Sequence, residues 1–321
     1  MRAYSTRPAT ATGPVRLTSP SRTSRPVRLG HRHPDAGRHR HRPLLREHGC
    51  ALFPAFVSRP RISRLLTGGD RVVVVGSTAA GGAALRAEAV RAGHADRLDF
   101  HRTDLASMAG TAALAERLRD RHEVLDALVL GAGRFNTRRV ETAEGFERTF
   151  ALYTLSRFLL PELLRESLAR AVRPVVLNLC GTGGIRAGRI HWDDPQLRRR
   201  YSGLRATMQG ARVNDLLGVS FAARYGDSGI RYVLYNPLFV DTGLADPFPQ
   251  PARSLVRLAA RLFATRVEQI TPGLLDLLTD PPARPLSAFR RKTPVDLGRP
   301  EFDQETALRL HRVLAELTAD R

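Results

Sequence analysis

Lysine is almost absent from this chain. Of its 51 basic residues only Lys292 is a lysine, so chemistry that needs an amine must use that residue or do without. Two cysteines, Cys50 and Cys180, exclude a disulfide framework and a four-thiolate zinc site. No apolar run approaches the ~18 residues of a spanning helix, which excludes a membrane span of that kind. Acid is scarce as well: 31 acidic residues against 51 basic ones leave a formal charge of +20. What is present is enough for a core. The 321 residues are 42% hydrophobic, which excludes global disorder and suits one large α/β domain.

The charge is uneven. Residues 1–66 hold 14 arginines against Asp35 and Glu47, so +12 of the +20 lies there. Five of the ten histidines fall in the same region, with many Pro, Ser and Thr. Beyond a short apolar stretch at 51–57 no period of a helix or strand shows. Residues 1–58 are therefore expected to be a disordered basic leader, and 59–321 the folded domain. Three readings of the leader stand: an organelle-targeting segment, a nucleic-acid-binding arm resting on charge alone, and a mistranslated stretch that does not belong to the domain. For the last, Arg38-His39-Arg40-His41-Arg42 is encodable by codons that read Gly-Ile-Gly-Ile-Gly one base out of frame.

From residue 60 the pattern becomes regular. Apolar runs at 71–75, 98–102, 125–130, 174–179 and 230–235 read as strands, most of them closing on a Gly, Asp or Asn. Helical stretches at 79–92, 108–122, 145–170 and 205–225 separate them, with Pro161 as an expected kink. Two more helices are expected at 267–278 and 305–317. Strands alternating with helices predict a parallel, doubly wound α/β sheet of the Rossmann type, with ligands at the carboxyl ends of its strands.

The wording of these segments resembles the short-chain dehydrogenase/reductase superfamily, in particular its retinol-dehydrogenase-like branch, over about 70–313. The segments are Thr103-Asp104-Leu105, Leu130-Gly131-Ala132-Gly133, Glu144-Gly145-Phe146-Glu147, Asn178-Leu179, Gly188 to Asp193, Asn214-Asp215 and Asn236-Pro237 to Thr242. The resemblance implies NAD or NADP as cofactor and hydride transfer to or from a carbonyl or alcohol. It implies that Asp104 and Leu105 meet the adenine, that Gly131, Ala132 and Gly133 pass the cofactor ribose, and that Pro237 and Thr242 flank the nicotinamide carboxamide.

The pyrophosphate loop is open to two readings. Gly76, Ala80 and Gly82 look like a glycine-rich loop, yet only 28 residues separate Gly76 from Asp104. The alternative makes 72–75 the second strand and Leu65 to Asp70 the end of the first helix. Ser77 then lies where the family chooses between a ribose 2′-hydroxyl and a 2′-phosphate, and the first strand lies upstream, between 30 and 60. No glycine-rich loop is written there, so weak cofactor affinity is expected.

The family's asparagine, serine, tyrosine and lysine positions fall on Tyr153, Gly181, Thr207 and Ala211, all four changed. Of the six tyrosines none has a lysine four residues on: those places hold Pro8, Arg157, Arg205, Gly229, Asn236 and Phe239. Tyr201 with Arg205 is the nearest mimic, against a plain packing role for Tyr201. Cys180 reads as buried rather than nucleophilic, and His191 and Trp192 as loop packing over the rim.

The remainder, from about 243, resembles the family's substrate lid; 248–266 alternatively reads as a basic membrane-surface helix. The expected function is an NAD(P)-dependent oxidoreductase acting on a small carbonyl or alcohol, cytoplasmic, with no metal, no nucleic-acid partner, and homo-oligomerisation left open. The alternative is a catalytically inactive relative that keeps the fold as a nucleotide-binding, scaffold or partner protein.

Overall fold

The computed structural model describes residues 50–54, 59–183, 188–238, 254 and 267–319. Thr242, most of the basic leader and most of the expected lid lie outside the described residues. The described chain forms one eight-stranded sheet. In chain order its elements begin with β1 (Cys50–Pro54), α1 (Arg59–Gly68), β2 (Arg71–Gly76), α2 (Ala79–Arg91), β3 (Leu98–Arg102), α3 (Met108–Arg121) and β4 (Ala127–Leu130). A second set follows: α4 (Arg148–Phe150), α5 (Ser156–Leu163), α6 (Arg165–Ala169), β5 (Val175–Leu179), α7 (Gly203–Tyr225) and β6 (Arg231–Asn236). The last are α8 (Val267–Thr279), β7 (Leu286–Arg290), β8 (Thr293–Pro294) and α9 (Gln304–Thr318).

The strands lie in the order β3-β2-β1-β4-β5-β6-β7-β8. All neighbours are parallel except the β7–β8 pair. The order reverses between β1 and β4, which is the ligand-binding switch point of a doubly wound sheet.

Each strand feeds two layers because successive side chains point to opposite faces. Val73 and Val75 join Leu128 and Leu130 in a core with α3, α5, α7 and α9. Val72 and Val74 join Ala127 and Val129 in a second core with α1, α2 and α8. Strands buried on both faces read as continuous apolar runs, which explains the four consecutive valines of β2.

The structure selects the second reading of 65–76. Gly69, at φ +99°, ends α1: its N–H donates to the Leu66 carbonyl and that of Asp70 to the Leu65 carbonyl. This is a Schellman stop, which favours glycine at its left-handed position. Gly76 closes β2, the sheet's second strand, and is not a phosphate loop. Gly82 lies inside α2, where a Cβ would overlap the Phe100 ring of β3.

The first strand lies where the second reading put it, between 30 and 60: Cys50–Pro54 pairs with both Arg71–Gly76 and Ala127–Leu130 at the centre of the sheet. Two expectations need correction. The helix expected over 145–170 is three helices. It begins at Arg148, widens into a π turn at Ala151–Leu155 and breaks at Leu164 (φ −100°, ψ 5°) rather than at Pro161. And β7 was not expected, since five residues with two polar ones carry little strand signal until β6 offers them an edge.

Candidate active site

The two glutamates of the 144–147 motif are helix caps. Glu144 reaches across to the start of α3, accepting from Ser107 Oγ (2.9 Å), Met108 N (2.9 Å) and Ala109 N (3.0 Å). Glu147 is buried and caps α4, accepting from Thr149 N (2.9 Å) and Phe150 N (2.7 Å). A carboxylate on free helix N–H groups matches the positive end of the helix dipole. These two caps anchor the segment that carries Tyr153 into the rim.

The rim at the carboxyl ends of β2 to β6 gathers most of the expected residues. Ser77 is exposed just after β2, and Thr78 caps α2 by accepting from Gly81 N (3.3 Å). Asp104 is exposed after β3; one oxygen accepts from Ala106 N (3.0 Å) and the other from Arg148 Nη2 (2.7 Å). Leu105 is buried beside it. Gly131 is buried at the end of β4, Ala132 half-buried and Gly133 exposed. A cavity here is lined by Val75, Leu105, Leu130, Gly131, Ala132 and Arg157. Pro237 follows β6 in a turn held by Leu238 N donating to Asn236 Oδ1 (2.8 Å). Leu238 adopts φ +66°, a left-handed conformation that costs a branched residue energy.

Behind this rim lies a buried polar network built on Arg157 and two asparagines. Arg157 Nη1 donates to Asn178 Oδ1 and to the Leu179 carbonyl, both at 2.6 Å, and Nη2 to the Ala132 carbonyl at 2.7 Å. Asn178 Nδ2 donates to Asn214 Oδ1 (2.9 Å) and to the Tyr232 hydroxyl (3.1 Å). Asn214 Nδ2 donates to the carbonyls of Tyr153 (2.9 Å) and Gly210 (2.7 Å), tying α7 to the π turn. Burial disfavours the charged form of Arg157, and among the described residues no carboxylate forms an ion pair with it.

The four family positions converge only in part. Tyr153 packs its ring against Gly210 of α7, where a Cβ would overlap it, and its other edge faces Gly133. Its hydroxyl faces the backbone N–H of Gly181. Burial pushes this phenol up to about 12, against the lowering effect of Arg157. Ala211 is buried and Thr207 half-buried on α7. Asp215, four residues after Ala211 on the same helix, is buried, and desolvation raises its carboxyl to about 6. Its Oδ2 lies 3.9 Å from Arg212 Nη1, and the Thr182 side chain and Arg212 oppose the rise. Cys180 is buried and its thiol is pushed up to about 12, which suits packing and not nucleophilic attack.

Tyr201 and Arg205 do not form a pair. The Tyr201 hydroxyl donates to the Asn136 carbonyl (3.1 Å), whereas Arg205 turns to the Arg200 carbonyl (2.7 Å). Trp192 stacks under Arg309 of α9 at 4.1 Å, and the His191 N–H donates to Gln209 Oε1 (2.9 Å). The residues that sequence reasoning passed over are Arg157, Asn178 and Asp215. Arg157 was visible as the residue four places after Tyr153; Asn178 and Asp215 carried no signal beyond being polar within apolar runs.

The description "short chain dehydrogenase" fits a family model matched by residues 61–192, the span from α1 through the π turn to the Trp192 loop. Over that span the chain is similar to the short-chain dehydrogenase family. It is 32% identical over 187 residues to a Streptomyces sp. (strain C5) protein provisionally assigned as daunorubicin C-13 ketoreductase DnrU, covering 54% of this chain and 63% of that one. It is 28% identical to human retinol dehydrogenase 13, covering 42% of this chain and 40% of that one. The chain thus spans less than two thirds of either relative's length. Among solved structures it is similar to the Pseudomonas aeruginosa RhlG/NADP active-site complex, with 19% identity, a TM-score of 0.60, and coverage of 78% and 97% of the two chains. At that identity the likeness speaks for the fold alone.

Among the described residues no helix is long and apolar enough to cross a membrane, and no cluster of His, Cys, Asp and Glu could hold a metal ion.

Proposed function

We propose that this chain is an NADP(H)-dependent oxidoreductase that reduces a carbonyl on a small organic substrate. The observation that carries the reading is the end of β2. A ribose 2′-hydroxyl is usually met there by a carboxylate; here Ser77 and Thr78 offer hydroxyls. Arg102, paired with Gly76 across the β2–β3 register, stands exposed alongside. Two hydroxyls and a guanidinium suit a phosphate dianion and offer a bare 2′-hydroxyl no carboxylate.

The residues of the rim fit the adenosine end of such a cofactor. Each Asp104 oxygen keeps a second lone pair for the adenine amino group, and Leu105, Val75 and Leu130 supply an apolar wall. Gly131 lets the backbone approach without a Cβ. Pro237, with Thr242 beyond the described residues, is proposed to flank the nicotinamide. Bound there, the cofactor would supply a hydride. The chain's own residues hold the adenosine, present the Gly133 edge to the ribose, and keep the β5 end closed behind Arg157 and Asn178. The Streptomyces relative's ketoreductase name favours carbonyl reduction.

The second reading is a protein that binds dinucleotide without turnover, favoured by the changed Tyr153, Gly181, Thr207 and Ala211. Titration with NADPH and NADH, followed by intrinsic fluorescence, tests the first step. Tighter binding of NADPH is expected, and no binding of either dinucleotide would sink the proposal. Oxidation of bound NADPH by added aldehydes and ketones separates the enzyme from the binder.

A further inference from the structure

One phenol and one cation stand between the changed family positions. Tyr153 leaves the π turn toward α7 with its ring wedged between Gly133 and Gly210 and its hydroxyl at the Gly181 N–H. Arg157, one turn along, sets its guanidinium 4.3 Å from the ring centroid. Three hydrogen bonds to Asn178 and to the Leu179 and Ala132 carbonyls fix that guanidinium. Its Nε is buried and unpartnered. A desolvated cation held by neutral acceptors leaves its field directed at whatever negative charge forms beside it. π turns inside helices are often found at functional sites, and this one aims Tyr153 at the ends of β4 and β5.

We propose that Tyr153 donates the proton to the substrate's carbonyl oxygen, and that Arg157 is the positioning residue that holds the phenol and steadies the phenolate. The assignment rests on the reading that the chain carries out carbonyl reduction with NADP(H). The carbonyl carbon accepts a hydride from the reduced nicotinamide, and the carbon–oxygen π pair moves onto oxygen. That oxygen takes the phenolic proton, and the phenolate left on Tyr153 regains a proton from water. The products are the alcohol and the oxidised dinucleotide.

The environment sets the protonation state. Three titratable groups act on the phenol: Arg157 from α5, Cys180 from the end of β5 and Asp215 from α7. Arg157 favours the phenolate, while burial and the two acids oppose it and keep the phenol protonated at neutral pH. A protonated phenol can give its proton to an alkoxide, whereas only the scarce phenolate could take one from an alcohol. The protonated phenol present near neutrality is the form that carbonyl reduction uses, and alcohol oxidation needs the phenolate.

The test uses the full chain with NADPH and a panel of aldehydes and ketones, comparing the parent with Tyr153→Phe, Arg157→Lys and Arg157→Met. Tyr153→Phe should bind NADPH as the parent does and lose roughly 100-fold in kcat for reduction. Arg157→Met should lose about tenfold in kcat with KM little changed, and Arg157→Lys should recover part of it. Ultraviolet difference titration of parent against Tyr153→Phe should show this phenol ionising above the range of an exposed tyrosine, and later still in Arg157→Met. Alcohol oxidation by the parent should climb with pH through the alkaline range. Equal reduction rates in parent and Tyr153→Phe would overturn the assignment, as would an alcohol-oxidation rate independent of pH. NADPH binding without turnover of any carbonyl would overturn it too, leaving dinucleotide binding intact. Failure of the parent to bind NADPH would instead overturn the functional reading on which it rests.

Discussion

The ring of Tyr153 occupies the space beside Gly210 that any side chain at that point of α7 would need. The two residues are 57 positions apart, and the contact locks the π turn to the helix that carries Thr207, Ala211 and Asp215. Gly210→Ala is expected to cost about 1–3 kcal/mol by overpacking. The same change in a Tyr153→Ala background should cost far less, because the ring it meets is gone. Urea unfolding of the four proteins of this double-mutant cycle checks the coupling; additive losses would show that the ring and the glycine are energetically independent.

Asp215 sets a pH dependence of stability. Its carboxyl is raised from 3.8 to about 6 in the folded chain, so it binds its proton more tightly folded than unfolded. Its contribution is fully present below the unfolded value and is lost as pH rises through the folded one. Asp215→Asn should therefore gain on the parent by roughly 3 kcal/mol between acid and neutral pH. Thermal melts across that range read the difference, and parallel curves for the two proteins would contradict the buried, raised carboxyl.

Glu147 is a structural acid. It accepts two backbone N–H groups of α4 and is itself held by Gln196 Oε1, which accepts from the Glu147 N–H at 3.0 Å. Glu147→Ala is expected to cost about 2 kcal/mol, since it strands two buried donors. Chemical denaturation measures it. NADPH affinity measured well below the transition should stay unchanged, which a direct cofactor role would not allow.

Arg102 lies exposed at the β2–β3 edge, so its replacement should leave stability within about 0.5 kcal/mol. Arg102→Glu is expected to weaken NADPH binding by about tenfold or more while leaving NADH binding within about twofold. Equal losses for both dinucleotides would remove the 2′-phosphate from this site.

Tyr201→Phe removes a hydroxyl that donates to the Asn136 carbonyl. It should cost about 1 kcal/mol of stability and leave carbonyl reduction and its pH profile in place. A loss of turnover comparable to that of Tyr153→Phe would move the proton donor from the π turn to the loop before α7.

Much of the fold was readable locally. Four valines followed by glycine make β2, and Leu65 to Asp70 write their own helix stop in two adjacent glycines, because a left-handed turn admits little else. The order of segments from Asp104 through Gly131 to Asn236 placed the rim. β1 was harder: a five-residue strand between a basic leader and a helix has no alternation to declare it, and its pairing partners lie far along the chain.

The sequence by itself determined the alternation of strands and helices, and hence the sheet and its carboxyl-end rim, because apolar periodicity and glycine stops are properties of neighbouring residues. It also determined that no Tyr–Lys pair exists, since only Lys292 could have supplied one. Tertiary structure decided which polar residues share the site. Arg157, Asn178, Asn214 and Asp215 sit on three separate elements. Their burial, their hydrogen bonds and the raised carboxyl of Asp215 arise only when the sheet and α7 close over them, because desolvation and charge coupling depend on distance in space and not along the chain.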